Sequence, residues 1–328
     1  MYQYILIRIL AMVPTIFGAG VIVFFVMRII PGDVCLAKWV DFGQDLDPKL
    51  LELCRENLGL NDPLQDQFFD FMSRVLSLDL GISLWNGERV AVEILPRAAL
   101  SLQLAVMSTV ISVLLAVPLG IVCALRQNSW IDYCIRLFSI VGVAIPSFWL
   151  GTIIILGLLI LTQSWTGTPW MPPIVYVSPF VDITANLSQL IWPAIAVGYR
   201  YCSITLRMTR SAVLEVLQED YVRTARAKGV TEKAIVVRHA LRNAFLPILT
   251  LISSEFAFLM GGLVVIEQVF NLNGLGALLI QSIDNQDFPV IEVLVMLIVS
   301  VFVLVNFAVD LLYTWLDPRI RYNLRGAS

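Results

Sequence analysis

Long apolar runs recur along this chain, and most polar residues collect between the runs instead of alternating with them. About 20 apolar residues of helix cross the ~30 Å hydrocarbon core of a bilayer. By that measure the pattern predicts six spans, at about 7–30, 98–125, 133–162, 188–210, 245–268 and 289–315. An even number puts both termini on one side. The chain then divides into residues 1–30 with the N-terminus and first span, 31–97 as an extracytoplasmic segment with short helices, and 98–328 with the remaining spans and a polar loop at 211–243. The fold class expected is an all-α integral membrane protein with six transmembrane helices, a long external segment after helix 1 and a cytoplasmic loop between helices 4 and 5.

Lys and Arg orient this arrangement, because basic flanks resist translocation and stay cytoplasmic. The 211–243 loop holds Arg223, Arg226, Lys228, Lys233, Arg238 and Arg242, whereas the connections 163–187 and 269–288 hold neither Lys nor Arg. Arg126, Arg136, Arg319, Arg321 and Arg325 fall on the loop's side when the N-terminus is cytoplasmic. Within the loop, 219–228 reads as one short helix ending at Gly229, and Thr231 stands where it caps a second running to about Arg242. Pro247 follows in the first turns of the next span, where backbone donors are partly unpaired. The result is a compact knuckle that offers a docking surface.

Outside, Asp47-Pro48 and Asp62-Pro63 each set a capping carboxylate before a proline suited to the first helical position. After the second, Leu64, Phe68, Phe71 and Val75 recur at helical spacing. That apolar face is expected to pack on the protein's own spans in preference to a partner.

Composition agrees with a membrane class: hydrophobic residues make up 58% and charged residues 14%, against about 45–50% and about 25% in soluble domains. The first run is too long for the apolar core of a signal peptide, and Gly18, Ala19 and Gly20 sit in its middle instead of closing it, so a retained span is expected. Cys123, Cys134 and Cys202 read as small buried thiols. Cys35 and Cys54 lie in the external segment, where an oxidising compartment permits a bridge; a disulfide and two free thiols both stay open.

No GxxxxGK[ST], HExxH, GxSxG or CxxC pattern occurs, and the single His239 lies in the basic loop without other metal ligands at a suitable spacing. Neither a catalytic constellation nor a metal site emerges. Arg200, Arg207, Glu255, Glu267 and Asp310 fall in or near the spans, where a charge is costly unless it faces protein or water. Arg200 and Glu255 either line an aqueous path or pair with each other; Arg207 and Asp310 lie near inner ends and can snorkel. Structural pairing is the expectation for the group. Pro118, Pro146 and Pro193, with Gly120, Gly142, Gly151 and Gly198, permit kinks and close helix approach.

The segment YVRTARAKG at 221–229, followed by RHALRNAFLP at 238–247, resembles the EAA loop of ABC-transporter permeases of the dipeptide/oligopeptide/nickel group. Arg223-Thr224-Ala225 stands where the general pattern has Glu-Ala-Ala, and Gly229 is its glycine. Four further places fit the same family in order: Pro31-Gly32-Asp33; the external segment from Leu58-Gly59-Leu60-Asn61-Asp62-Pro63-Leu64 to Asp79-Leu80-Gly81-Ile82-Ser83; VFNLNGLG at 269–276, with Asn273 where the family usually has proline; and Asp310-Leu311-Leu312-Tyr313 with Leu316-Asp317-Pro318-Arg319-Ile320-Arg321.

The resemblance implies a permease subunit in a bacterial cytoplasmic (inner) membrane, half of a translocation path for di- or oligopeptides. Its implied partners are a second, homologous permease, two ATP-binding subunits carrying ATP and Mg, and an extracytoplasmic substrate-binding protein; the chain itself is a transport subunit with no cofactor of its own. The coupling residues implied are Glu219, Asp220, Arg223, Thr224, Ala225, Arg226, Ala227, Lys228 and Gly229. Nickel chelates and glutathione remain alternative cargoes within the family. A different class is a channel or scaffold whose basic loop binds anionic lipid, although Glu215, Glu219, Asp220 and Glu232 dilute its positive charge. A membrane enzyme is least favoured.

Overall fold

The computed structural model describes residues 2–29, 35, 48–57, 59–77 and 79–316. Pro31-Gly32-Asp33, Asp47, Leu58 and the tail that holds Asp317-Pro318-Arg319-Ile320-Arg321 and Arg325 lie outside the described residues, as does the His239 side chain. The described chain is helical in the order α1 (Tyr2–Ile29), α2 (Pro48–Asn57), α3 (Leu64–Ser77), α4 (Val90–Leu125), α5 (Trp130–Ala144), α6 (Ser147–Thr166) and α7 (Ile183–Leu217). There follow α8 (Asp220–Ala227), α9 (Glu232–Ala234), a π-helical turn at Ile235–Ala240, α10 (Leu241–Gly262), α11 (Val264–Val269), α12 (Leu275–Asp284) and α13 (Phe288–Leu316). Among the described residues no strand forms; Ile82 and Arg89 make one isolated antiparallel pairing.

Among the described residues five stretches are long and apolar enough to cross a membrane: Ile5–Ile29, Val90–Leu125, Ser147–Thr166, Leu241–Gly262 and Phe288–Leu312. The expected span at 133–162 is two helices. Ile145 takes the extended conformation (φ −85°, ψ 121°) that the residue before a proline prefers, and Pro146 restarts the chain as α6. Pro118 and Pro193, by contrast, lie inside uninterrupted helices. The expected span at 188–210 is part of the longer α7, which carries Arg200, Arg207 and Arg210 and stands outside the five apolar stretches.

Two compact units divide the chain, residues 1–101 with 273–307 and residues 102–272 with 308–328. In the first, Val23 and Phe24 of α1, Phe71 of α3 and Met296 of α13 form a buried cluster, with Phe68 and Val75 packed against it. The Phe68 ring stands edge-on to Phe24 at 5.2 Å and to Phe17 at 6.1 Å, so the amphipathic face of α3 does lie on the protein's own first helix. Leu64, at the start of that stripe, is exposed.

Pro48 is the first residue of α2, as expected. Pro63 instead stands just before α3, where its carbonyl accepts from the Asp66 and Gln67 backbone N–H groups. The Asp62 carboxylate makes no capping bond among the described residues; the Gln67 side-chain amide secures this turn by donating to the Asp62 carbonyl at 2.8 Å and the Leu60 carbonyl at 3.2 Å. Cys35 and Cys54 are joined as a disulfide, with Cα atoms 6.0 Å apart. Cys123 and Cys202 are buried, but Cys134 is exposed, on the outward face of α5.

The same unit fixes the turn before α4. Buried Asp287 accepts from the Ser83 hydroxyl, from Leu84 N–H at 3.1 Å and from Trp85 N–H at 3.4 Å. A carboxylate with three donors is compensated for leaving water. Asn273 accepts from Arg97 Nε at 3.0 Å, a bond that the family's usual proline has no side-chain group to make.

In the second unit α7 is the central element. A Cβ on Gly120 of α4 would stand 2.6 Å from Thr209 Cβ, and one on Gly198 would stand 2.9 Å from the Ser108 carbonyl oxygen. The two helices therefore approach at glycine on both sides of the contact. Ala124 of α4, Ala212 and Val213 of α7, and Ala244 and Ile248 of α10 close one end of this packing as a buried cluster. The polar loop grows from that end.

Candidate functional site

The loop predicted from charge becomes an exposed knuckle on a rigid base. α7 stops at Leu217, and Glu219, in an extended conformation (φ −65°, ψ 146°), turns the chain into α8. α8 is held by Val222, which is fully buried. Glu219, Asp220, Arg223, Thr224, Arg226, Ala227, Lys228 and Gly229 are exposed and Ala225 is half-buried, so every residue expected to couple is at least partly accessible.

Gly229 ends α8 for a backbone reason. Its φ is +77°, Gly229 N–H donates to the Arg226 carbonyl at 2.9 Å, and Val230 N–H donates to the Ala225 carbonyl at 3.2 Å. This pair of bonds is a Schellman closure, which needs a residue in the left-handed region where glycine carries no Cβ penalty.

Arg226 then bridges to the next segment: its Nε donates to Glu232 Oε1 at 2.8 Å and a terminal nitrogen to Oε2 at 3.4 Å. This hydrogen-bonded pairing holds the Glu232 carboxyl below the ordinary carboxylate value and raises Arg226 in turn. Asp220 pairs only within its own helix, 3.6 Å from Arg223. Thr231 occupies the helix-start position without a side-chain capping bond. The segment after it does not stop near Arg242. It passes through the π-helical turn, with Ile235, Val236 and Ala240 buried, straight into α10, and Pro247 lies inside that helix. The knuckle is thus joined by short turns to two long helices, α7 before it and α10 after it.

A second polar cluster near the base escaped sequence reasoning. Arg210 of α7 grips the fully buried Asp132 of α5 with two bonds, Nε to Oδ1 at 3.0 Å and a terminal nitrogen to Oδ2 at 3.1 Å. Asn128 N–H donates to Oδ2 at 3.0 Å, and the Cys123 thiol of α4 donates to Oδ1 at 2.7 Å. One carboxylate therefore ties α4, α5 and α7 together. The only signal in the sequence was Ser129, three residues ahead, whose hydroxyl accepts from Asp132 N–H at the start of α5.

Of the flagged charges, Arg200 and Arg207 are exposed and Glu267 is buried. Glu255 is buried and accepts from the Thr205 hydroxyl at 2.8 Å; it does not form an ion pair with Arg200. Arg28 and Glu292, not singled out from the sequence, make an ion pair at 2.6 Å in the other unit. No cluster of His, Cys, Asp and Glu that could hold a metal occurs among the described residues.

Comparison with known proteins places this geometry in context. Residues 116–322 match the binding-protein-dependent transport system inner membrane component, and residues 1–105 match the N-terminal part of such membrane components. The glutathione transport system permease protein GsiC of Salmonella typhimurium (strain LT2) is 37% identical over 322 residues, 98% of this chain and 100% of that protein. The protein of the same name from Escherichia coli (strain K12) is 36% identical over the same shares. A solved structure of the MetNI methionine ABC transporter in an inward-facing conformation aligns with a TM-score of 0.52 at 18% identity, covering 68% of this chain and 96% of that one. At that identity the likeness concerns the fold alone.

Proposed function

The chain belongs to the binding-protein-dependent transport system inner membrane components, the permeases of ABC importers, and on that premise we propose that it forms half of a translocation path for small peptides. The other half is a second, homologous permease. Two ATP-binding subunits, which carry the ATP and Mg, receive the knuckle at Glu219–Gly229, and an extracytoplasmic binding protein delivers the cargo. Closure of the ATP-binding subunits moves the knuckle; because it is continuous with α7 and α10, that motion rocks those helices and switches access across the membrane.

The observation that carries this reading is the combination of an exposed mixed-charge surface on α8 with one fully buried anchor, Val222. A flexible basic tail for lipid binding has no use for such an anchor. The orientation proposed has both termini and the knuckle in the cytoplasm, with six crossings: the five apolar stretches and α7. The Cys35–Cys54 bridge supports it, since disulfides persist in oxidising compartments outside the cytoplasm.

Glutathione is itself a tripeptide, and the names of the relatives favour it as the narrower reading. The test is the ATPase rate of the reconstituted complex with its binding protein, measured across di- and oligopeptides and glutathione. Stimulation by at least one peptide supports the proposal. A chain that purifies without ATP-binding subunits, or a complex that no peptide stimulates, overturns it.

A further inference from the structure

The connection between α6 and α7 turns several apolar side chains outward, although Trp170 packs edge-on against Trp192. Phe180 is 97% exposed, Val181 81% and Val175 77%, and Trp165 in the last turn of α6 is 82% exposed. Yet this connection is built, not slack. Tyr176 donates to Gln103 Oε1 at 2.9 Å, Asn186 Nδ2 to the Val177 carbonyl at 2.7 Å and Gln189 Nε2 to the Ile174 carbonyl at 2.9 Å, with Asn186 and Gln189 both buried. Asp182, the one charged residue of 163–187, is engaged as the cap of α7, accepting from Thr184 and Ala185 N–H.

Its position follows from one bond and one length. Trp170 N–H donates to Thr162 Oγ1 at 2.8 Å, which folds the chain back beside the final turns of the apolar α6. The knuckle lies at the far end of α7, whose 35 residues at about 1.5 Å each exceed a bilayer's hydrocarbon thickness. The connection therefore sits level with the end of a membrane-crossing helix, on the face opposite the knuckle, and continues the outward apolar surface of that helix.

We infer that the 175–183 tip is a membrane-interface anchor: Phe180 and Val181 insert into the headgroup and acyl boundary of the lipid leaflet opposite the knuckle, beside Trp165. Aromatic residues concentrate at that depth because their apolar bodies leave water there. The tip carries no basic residue, and its one charge, Asp182, is exposed at the base of the tip with one oxygen engaged by the first N–H groups of α7, where it stays at headgroup level as Phe180 and Val181 enter. Fixing the tip to α4 and α7 through Gln103, Asn186 and Gln189 makes it a depth stop for the second unit.

The test places a nitroxide on Phe180→Cys, and separately on Val181→Cys, in the full chain with its co-purifying subunits in lipid nanodiscs. Cys134→Ala removes the exposed native thiol, and Ile160→Cys, in the second half of α6 and deeper than its last turn, serves as the lipid-embedded reference. The anchor predicts that collisions with oxygen exceed those with a water-soluble nickel chelate at both sites, at a depth shallower than residue 160. Greater collision with the nickel chelate, which marks an aqueous tip open to an extramembrane protein, overturns it. So does an immobilised probe shielded from both reagents, which marks a protein neighbour in place of lipid.

Discussion

Arg226 and Glu232 pair across the Gly229 turn, nitrogen to oxygen at 2.8 Å, and so link α8 to the segment leading into α10. Both side chains are exposed, and an exposed pair is weak and salt-screened. Its role is to set the turn's geometry. Glu232 titrates below its ordinary value of 4.5 when folded, so its contribution is fully present above that value and is lost as the pH falls through the lowered folded value. Hydrogen exchange at 226–234 is expected to quicken in that acidic window, and Glu232→Gln to show the quickened exchange already at neutral pH.

Gly229 tests whether the turn depends on backbone or on space. No heavy atom lies within 4 Å of a Cβ built there, so bulk alone meets nothing; the cost of substitution is the positive φ, about 1–3 kcal/mol for a non-glycine residue. Asn, which tolerates that region best, is expected to retain most uptake, Ala less and Val least, with membrane insertion unchanged in all three. Equal uptake by Gly229→Val and the parent would remove the turn from the coupling route.

Val222 anchors α8 to the core, and under the proposed function it would carry force inward from the docking face. Val222→Ala removes buried methyl groups and is expected to loosen α8 by about 1–3 kcal/mol. Stimulated ATPase activity should fall while the subunits still co-purify, because the exposed residues that meet a partner are untouched.

Asp132 and Arg210 give a stability prediction independent of transport. Removing one partner leaves a charge buried without compensation, typically about 3–5 kcal/mol, so Asp132→Ala is expected to lower the melting temperature of the purified subunit markedly. The double variant Asp132→Ala with Arg210→Met should recover part of that loss. A single variant as stable as the parent would contradict the assigned role.

These cases also show what the residues declare locally. The knuckle was legible because its signals are short-range: a run of mixed charge between apolar stretches, and a glycine at a helix end. The stripe on α3 was legible through its period. The break at Ile145-Pro146 was visible as a proline, but apolar length alone joined α5 to α6. Asp132 and Arg210 are 78 positions apart, and no periodicity links them; only the packing of α5 on α7, with Gly142 close against Tyr199 and Ser203, brings their helices together. For α7, Asp182 was a start signal that counting apolar residues passed over. The coupling role proposed for the exposed face of α8 came from resemblance, since a partner absent from the chain leaves no trace in its own packing.

Ala227 offers the most direct test, because it is exposed on the knuckle and its side chain makes no hydrogen bond. A photo-crosslinking benzoylphenylalanine placed at Ala227 in the assembled complex is predicted to yield one major protein adduct, to an ATP-binding subunit, with a yield that changes when ATP is added. An adduct to lipid alone, or none that responds to ATP, would contradict the account.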